Sequence, residues 1–325
     1  MNILVTGAAG FIGSHLSEEI LKCNKEYRVI GIDNLNPYYD VNLKKTRLKK
    51  LLKYKNFEFH HIDISNYDEL NNLPINIEII VNLAAQAGVR INDADHNKYV
   101  DYNVMGFLNI IMFAKKANIK NIVYASSSSV YSGLPNHISV FKEDLRLETP
   151  NSMYAITKLT NEMQANLYSK RLDISFVGLR FFTVYGNYGR PDMAYFSFSE
   201  SLRQNREITL FNGGDMSRDM THVSDIVKGI ISSMKYILNK NEVINEIFNL
   251  GNDRPVKTTY LLELISNALQ TEPLIFSKNS KNEVLHTHAD LSKSSHYLEY
   301  KPKINVEEGI EMFIEWFKLF TNFNK

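Results

Sequence analysis

The chain opens with a short apolar run, Asn2-Ile3-Leu4-Val5-Thr6, that passes directly into Gly7-Ala8-Ala9-Gly10-Phe11-Ile12-Gly13 and then into an amphipathic stretch over residues 12–23. A strand, a glycine turn and a helix in immediate succession leave few folds open. Parallel strands are joined by crossovers of a dozen or more residues, usually helical, so this opening commits the chain to a β-α-β unit. The alternation continues. Apolar runs at 28–32, 57–61, 78–82, 121–126 and 174–180 are separated by helical patterns such as 100–117. Such alternation predicts an α/β protein built on a doubly wound parallel sheet of Rossmann type, its crossovers right-handed.

Past residue 185 the alternation breaks. Helical patterns at 193–205, 222–240, 258–269 and 305–321 surround short strand-like runs, Thr209-Leu210-Phe211 and Ile247-Phe248-Asn249. We expect residues 1–185 to form a dinucleotide-binding domain. Residues 186–325 would form a smaller mixed α/β substrate lobe, with some later segments returning to the sheet. A ligand belongs in the cleft between them, beyond the carboxyl ends of the strands.

Composition narrows the function classes. The formal net charge of the 325 residues is +1, which gives no basis for a nucleic-acid or membrane partner. The basic run Lys44, Lys45, Arg47, Lys49, Lys50 and Lys53 is expected to be a solvated helix face. One cysteine, Cys23, excludes an internal disulfide and suits a reducing compartment. It falls in an apolar helical pattern and is expected as a core thiol. No leader-like segment precedes the first strand, and no run is long and apolar enough to span a bilayer, so a cytoplasmic protein is expected. His60, His61, His286 and His288 form no coherent ligand set, and no metal is expected.

The glycine spacing alone fits a chance turn. In context, after a strand and opening a helix, Gly7 and Gly10 let the backbone approach a pyrophosphate and Gly13 lets the helix pack on the sheet. The helix amino terminus then offers free N–H groups to the phosphates. Asp33 ends the second strand, twenty residues after Gly13. An aspartate there accepts hydrogen bonds from both adenosine ribose hydroxyls and repels a 2′-phosphate, which favours NAD over NADP. Asp63, at the end of the third strand, either reaches the adenine amino group or caps a helix near Ser65.

Two further stretches carry chemistry. "SSSSVYS" (126–132) ends a strand, and "MYAITK" (153–158) lies on a helix, which puts Tyr154 and Lys158 on one face. A tyrosine phenol titrates near ~10, so a base acting at neutrality must drop by about three pH units, roughly 4 kcal/mol. The Lys158 ammonium and the positive ring of oxidised cofactor both favour the phenolate. Ser127 can share the proton moving between a substrate hydroxyl and Tyr154.

With these residues in place, the chain resembles the extended short-chain dehydrogenase/reductases, specifically the nucleotide-sugar epimerases, over almost its whole length. Within them it is similar to the UDP-glucuronate 4-epimerase branch in "NLNPYYDVNLKKTRL" (34–48), "NLAAQAGVR" (82–90), "SSSSVY" (126–131), "LRFFTVYGNYGRPDMA" (179–194) and "SRDMTHVSDIV" (217–227). The resemblance implies Tyr154 as base, Lys158 as its partner and Ser127 as relay. It implies that Gly7, Gly10, Gly13 and Asp33 hold NAD, with Phe11, Ile12, Asn34, Asp63, Ile64, Leu83, Ala84 and Ala85 along the cofactor path. Thr183 and Arg190 would face the sugar and its carboxylate. Arg218 would meet the UDP phosphates. Glu283, in a segment that departs from the usual Pro-Gly-Asp-Val, would stand on the uridine side. Thr287 would be a small gate residue, open to a carboxylate or an N-acetyl group alike. Gly133 stands one residue later than the family's glycine after Val-Tyr.

A substrate carboxylate needs a fixed donor fork, which arginine provides. Arg190, in Gly189-Arg190-Pro191, is the first candidate and Arg90 the second; the alternative for each is a local salt bridge. Related dehydratases and decarboxylases carry an acidic residue just after the relay; here Ser128 and Ser129 stand there, so elimination lacks its general acid. A 4-keto uronic acid tends to lose carbon dioxide, and Ser128, Thr183 and Arg190 are the candidates for restraining its carboxylate. The expected reaction is NAD-dependent 4-epimerisation of UDP-glucuronate to UDP-galacturonate through a 4-keto sugar. UDP-glucose or UDP-N-acetylglucosamine is the alternative substrate, and a non-catalytic cofactor sensor or RNA-binding protein on the same fold is the third possibility. Asn103 is expected to satisfy buried backbone. Extra apolar positions on the helices at 99–117 and 152–170 fit either a homodimer or burial within the monomer.

Overall fold

The structure is a computed structural model that describes residues 1–73, 76–88, 95–135, 137–279 and 285–322. The first half runs β1 (Asn2–Thr6), α1 (Phe11–Cys23), β2 (Arg28–Asp33), α2 (Val41–Leu51), β3 (Phe57–His61), α3 (Tyr67–Leu70), β4 (Ile79–Asn82), α4 (His96–Tyr99), a π-helical turn (Val100–Met105), α5 (Gly106–Lys116) and β5 (Asn121–Ser127). A 3₁₀ turn (Ser128–Tyr131) leads towards α6 (Met153–Leu172), β6 (Ser175–Phe181), β7 (Thr183–Tyr185), α7 (Ala194–Arg203), β8 (Ile208–Phe211) and β9 (Ser217–His222). Then come α8 (Val223–Leu238), β10 (Asn245–Leu250), β11 (Pro255–Lys257), α9 (Thr258–Leu269), β12 (Ile275–Lys278), α10 (Ser292–Leu298) and α11 (Val306–Thr321).

The central sheet has seven parallel strands in the order β10-β6-β5-β4-β1-β2-β3. Its inner strands are largely apolar on both faces because helices cover both, while the edge strands β3 and β10 carry Glu58, His60, His61, Asn245 and Glu246. Within β1 the pleat sends Ile3 and Val5 to a core shared with α1 and α8, around Leu16, Ile20, Ile226 and Ile230. Leu4 goes the other way, to Phe107, Ile110, Phe113 and Ala165 of α5 and α6. The winding direction reverses between β1 and β4, which opens a crevice at their carboxyl ends. β10 lies at the edge of the sheet, parallel to β6.

A further core gathers Phe196, Phe198, Leu261, Ile265, Ile310, Phe313 and Phe317 under a three-stranded sheet, β11-β9-β7, and the β12-β8 pair. The sequence pattern misses β7, β9, β11 and β12. β7 and β11 have three residues each, too few for a period, and all four residues of β12 are exposed.

Two expectations are corrected here. The basic run is only partly a solvated face: Lys45, Lys49 and Lys53 are exposed, but Lys44 and Arg47 are 7% and 1% exposed, turned inward by the pitch of α2. Cys23 is an exposed thiol at the last residue of α1, where the apolar stripe has rotated away; it donates to Glu19 Oε1 at 3.2 Å. Asn103 behaves as expected. It sits in the π-helical turn, accepts from the Gln86 N–H at 2.8 Å and donates to the Gln86 carbonyl at 3.1 Å.

Candidate active site

The glycine loop is built by exclusion of side chains. Gly7 has φ 68, and a Cβ on it would stand 2.9 Å from the Ala84 nitrogen. On Gly13 a Cβ would lie 2.2 Å from the Gly7 carbonyl oxygen. Thr6 ties the two sides of the crevice, its Oγ1 donating to Asn82 Oδ1 at 2.7 Å and accepting from the Leu83 and Ala84 N–H groups at 3.1 and 3.0 Å. Gly10 caps α1 without a side-chain partner for the first-turn N–H groups, so the helix end stays open to an anion. Phe11 is buried beneath the loop, while Ile12 and Ala85 stay half-buried at the crevice.

Asp33 stands at the end of β2. Its Oδ2 accepts from the Ala9 N–H at 3.1 Å, its Oδ1 from the Leu35 N–H at 2.8 Å, and Lys44 Nζ lies 3.8 Å away. Asp63 accepts from Asn34 Nδ2 at 2.8 Å and from the Ser65 N–H and hydroxyl at 2.8 and 2.6 Å. It closes a turn before α3; the side-chain cap of α3 itself is Asn66. Ile64 is buried, in the place where Gly106 leaves it room. A cradle that excludes a Cβ at Gly7, Gly10 and Gly13, an open helix end and a carboxylate at the second strand fit a dinucleotide.

Across the switch point β5 delivers Ser127. Ser127 Oγ accepts from the Ser129 N–H at 3.1 Å and hydroxyl at 2.9 Å, which turns the chain into the 3₁₀ segment. Ser152 caps α6 by accepting from the Ala155 N–H at 3.3 Å, so Tyr154 enters the site on the first helical turn. One turn on, Lys158 Nζ donates to the Ala125 carbonyl at 2.8 Å and lies 5.8 Å from the Tyr154 ring centroid. Beneath them a buried pair, Arg180 and Glu162, meets in two bonds of 2.9 and 2.8 Å, and Ser126 donates to the same carboxylate.

The electrostatics differ from the expectation. Burial pushes the Tyr154 phenol above its ordinary value, while the Arg190 guanidinium and a hydrogen bond with Ser127 pull it back. Arg190 is thus a cation acting on the phenol that the four-residue spacing alone does not reveal. Burial lowers the Lys158 ammonium itself to about 8.

Arg190 is not free. Its Nε donates to Asp192 Oδ1 at 3.0 Å and its Nη2 bonds Asp192 Oδ2, to which the Tyr38 hydroxyl donates at 3.2 Å. Tyr99, 6.0 Å from Tyr154 between ring centroids, donates its hydroxyl to the Gly88 carbonyl. Asp192, Tyr38 and Tyr99 were not singled out from the sequence. Asp192 had a signal: a carboxylate two residues after a candidate arginine in "GRPDMA". Ser128 follows Ser127 and is half-buried, as is Thr183 on β7. β7 pairs with β9, which carries Arg218, bonded to the Ser217 carbonyl at 3.0 Å. Thr287 adjoins it, its Oγ1 accepting from the Asp219 N–H at 3.0 Å. Gly133 is required where it stands, since a Cβ would meet the Thr149 carbonyl at 2.2 Å. Arg90 and Glu283 lie outside the described residues.

The family described as NAD dependent epimerase/dehydratase matches residues 3–251, more than half of the chain. This chain belongs to that family. Its fold is that of the short-chain dehydrogenase/reductase epimerases and its cofactor is NAD. A Methanocaldococcus jannaschii relative, "Uncharacterized protein MJ1055", is 47% identical over 97% of this chain and 96% of its own. The UDP-glucuronate 4-epimerase of Thermodesulfobacterium geofontis is 37% identical over 97% of this chain and 95% of its own. The Bacillus cereus UDP-glucuronic acid 4-epimerase, solved with UDP-glucuronic acid and NAD, superposes with a TM-score of 0.90 at 33% identity, covering 98% of this chain and all of that one.

Proposed function

We propose that this NAD-dependent nucleotide-sugar epimerase inverts C4 of UDP-glucuronate to give UDP-galacturonate. The observation that carries the choice of substrate is the Arg190 guanidinium, whose field reaches the Tyr154 phenol. A planar cation beside the base suits a sugar whose C5 substituent is a carboxylate. Full-length similarity to UDP-glucuronate 4-epimerases supports it.

Tyr154 takes the proton of the C4 hydroxyl, with Ser127 bridging the two oxygens. NAD, when bound, supplies the hydride acceptor and donor at C4. Lys158, one helical turn from Tyr154, holds a positive charge near the ring and favours the phenolate. The resulting 4-keto sugar stays held by its UDP, near Arg218, and turns before Tyr154 returns the proton. Ser128, Thr183 and Arg190 keep the carboxylate out of line with the ketone, which suppresses loss of carbon dioxide. No carboxylic acid follows the relay serine, so elimination is not assisted. Asp33 and the glycine loop hold the adenosine and pyrophosphate halves of NAD.

We also place a second copy of the chain against the apolar stripe of α6, where Ile156, Met163 and Leu167 are exposed at helical spacing.

The test is incubation of purified protein with UDP-glucuronate, UDP-glucose and UDP-N-acetylglucosamine, with products read by NMR. UDP-galacturonate as the main product, with no carbon dioxide released, is expected. Faster turnover of either neutral sugar would remove the uronate assignment and leave a 4-epimerase of other specificity.

A further inference from the structure

We propose that Arg47 is a positioning residue that couples the dinucleotide loop to the turn carrying Arg190, so that cofactor and nucleotide sugar tighten each other's binding. The inference rests on the substrate assignment above. Arg47 comes from α2, and its guanidinium is almost wholly buried. The partners the structure gives it are carbonyls and a phenol. Nη1 donates to the Ala9 carbonyl at 3.0 Å and to the Tyr39 hydroxyl at 2.6 Å. Nε and Nη2 both donate to the Tyr188 carbonyl, at 3.0 and 2.5 Å, and Nη2 also to Gly189 at 3.1 Å. A buried cation whose hydrogen bonds among the described residues go to neutral dipoles is costly to keep, and any movement of one acceptor is felt by the others.

The two ends of this clamp are the two ligand sites. Ala9 belongs to the glycine loop, and the peptide groups on either side of it are both held: its N–H donates to Asp33, its carbonyl accepts from Arg47. Lys44, one turn earlier on α2, faces the same Asp33 carboxylate. At the other end the turn before Arg190 is strained. Gly186 has φ 136 and Tyr188 φ 57, and a Cβ on Gly189 would overlap the Tyr195 hydroxyl. Such a turn persists only where its surroundings over-determine it, and two of its carbonyls are fixed by Arg47. The Tyr188 ring is fixed as well, with Lys50 of the same helix 4.5 Å from its centroid and Trp316 at 4.9 Å on the ring-to-ring measure. α2 thus bears on the ribose aspartate, the pyrophosphate loop and the arginine turn together.

Linkage requires that each ligand strengthen the other by one factor. The test uses the full chain carrying Tyr154→Phe, which stops turnover, stripped of cofactor. NAD affinity is measured by calorimetry with and without saturating UDP-glucuronate, and UDP-glucuronate affinity with and without NAD. The expected coupling is about fivefold or more in both directions. Adding Arg47→Lys, which keeps the charge but loses the planar fork, is expected to bring the factor close to one while both ligands still bind. Arg47→Gln reads the same factor without a buried charge should the lysine variant be too unstable to purify. An unchanged factor in these variants, or no coupling in the parent, would overturn the proposal. Failure of UDP-glucuronate to bind the parent at all would take the substrate assignment down with it.

Discussion

Lys158 Nζ donates to the main-chain carbonyl of Ala125 at 2.8 Å, with only 3% of the residue exposed. The ammonium is lowered from 10.5 to about 8 by burial, and this has a signed consequence for stability. Between these values the unfolded chain holds the proton and the folded chain does not. Stability from this group therefore rises with pH through the window from about 8 to 10.5. In cofactor-free protein, the difference in unfolding free energy between wild type and Lys158→Met is expected to swing towards wild type by up to ~3 kcal/mol across it. Urea unfolding at pH 7.5 and pH 10 checks this; parallel pH curves for the two proteins would contradict the buried-ammonium account.

Tyr154→Phe removes only an oxygen from a half-buried ring. The cofactor cradle, made of backbone, Thr6 and Asp33, is left intact. Epimerisation is expected to fall by about 10²–10⁴-fold, the usual contribution of a positioned acid–base group. NAD retention after gel filtration should be unchanged. A variant that lost activity only because it lost NAD would point to a binding role for the phenol.

Asp192→Asn tests the carboxylate now paired with Arg190. Asp192 offsets part of the positive field that Arg190 projects onto Tyr154. Neutralising it should drive the phenol down, so the acidic limb of the kcat/KM profile is expected to move to lower pH. The Michaelis constant for UDP-glucuronate should fall as well, because a substrate carboxylate no longer competes with an internal one. The phenol's other neighbours, Ser127, Lys158 and Tyr99, are unchanged by the substitution. An acidic limb that stays in place would separate Asp192 from the base.

Much of this arrangement was legible in the sequence, for a physical reason. Parallel strands buried on both faces must be near-continuous apolar runs, and β1, β2, β4, β5 and β6 stand within two residues of where that rule puts them. The need for glycine at Gly13 is steric and local, set by the Gly7 carbonyl, whereas at Gly7 it comes from Ala84 across the fold. Lys44 and Arg47 could not: a lysine-rich helix reads as solvated unless the acceptors facing it are known, and those come from residues 9, 33 and 188–189, brought in by the fold. The same holds for the field on Tyr154. A four-residue spacing selects Lys158, whereas Arg190 arrives from 36 positions away in the turn between β7 and α7. Cys23 failed for a smaller reason, since one residue at a helix end decides on which side of the stripe it falls.

Gly13→Ala is the sharpest test of the cradle. A methyl at this position would sit 2.2 Å from the Gly7 carbonyl oxygen and 3.2 Å from Ala8 Cα. Those are backbone atoms, and they cannot swing aside as a flexible side chain would. Either α1 moves off the sheet or the loop reshapes, and both open the contact of Gly7 against Ala84. The expected cost is about 2–3 kcal/mol of stability together with loss of retained NAD. Gly213→Ala is the matched control. Its φ of 64 also strains an alanine, but the nearest atom to a new Cβ is 4.0 Å away, a serine hydroxyl in β12. There the cost should be ~1–2 kcal/mol of backbone strain with NAD retention intact. Thermal unfolding and cofactor content of the two variants, measured side by side, separate crowding at the phosphate loop from a general intolerance of alanine for glycine. Equal loss of NAD in both would remove the steric argument for Gly13.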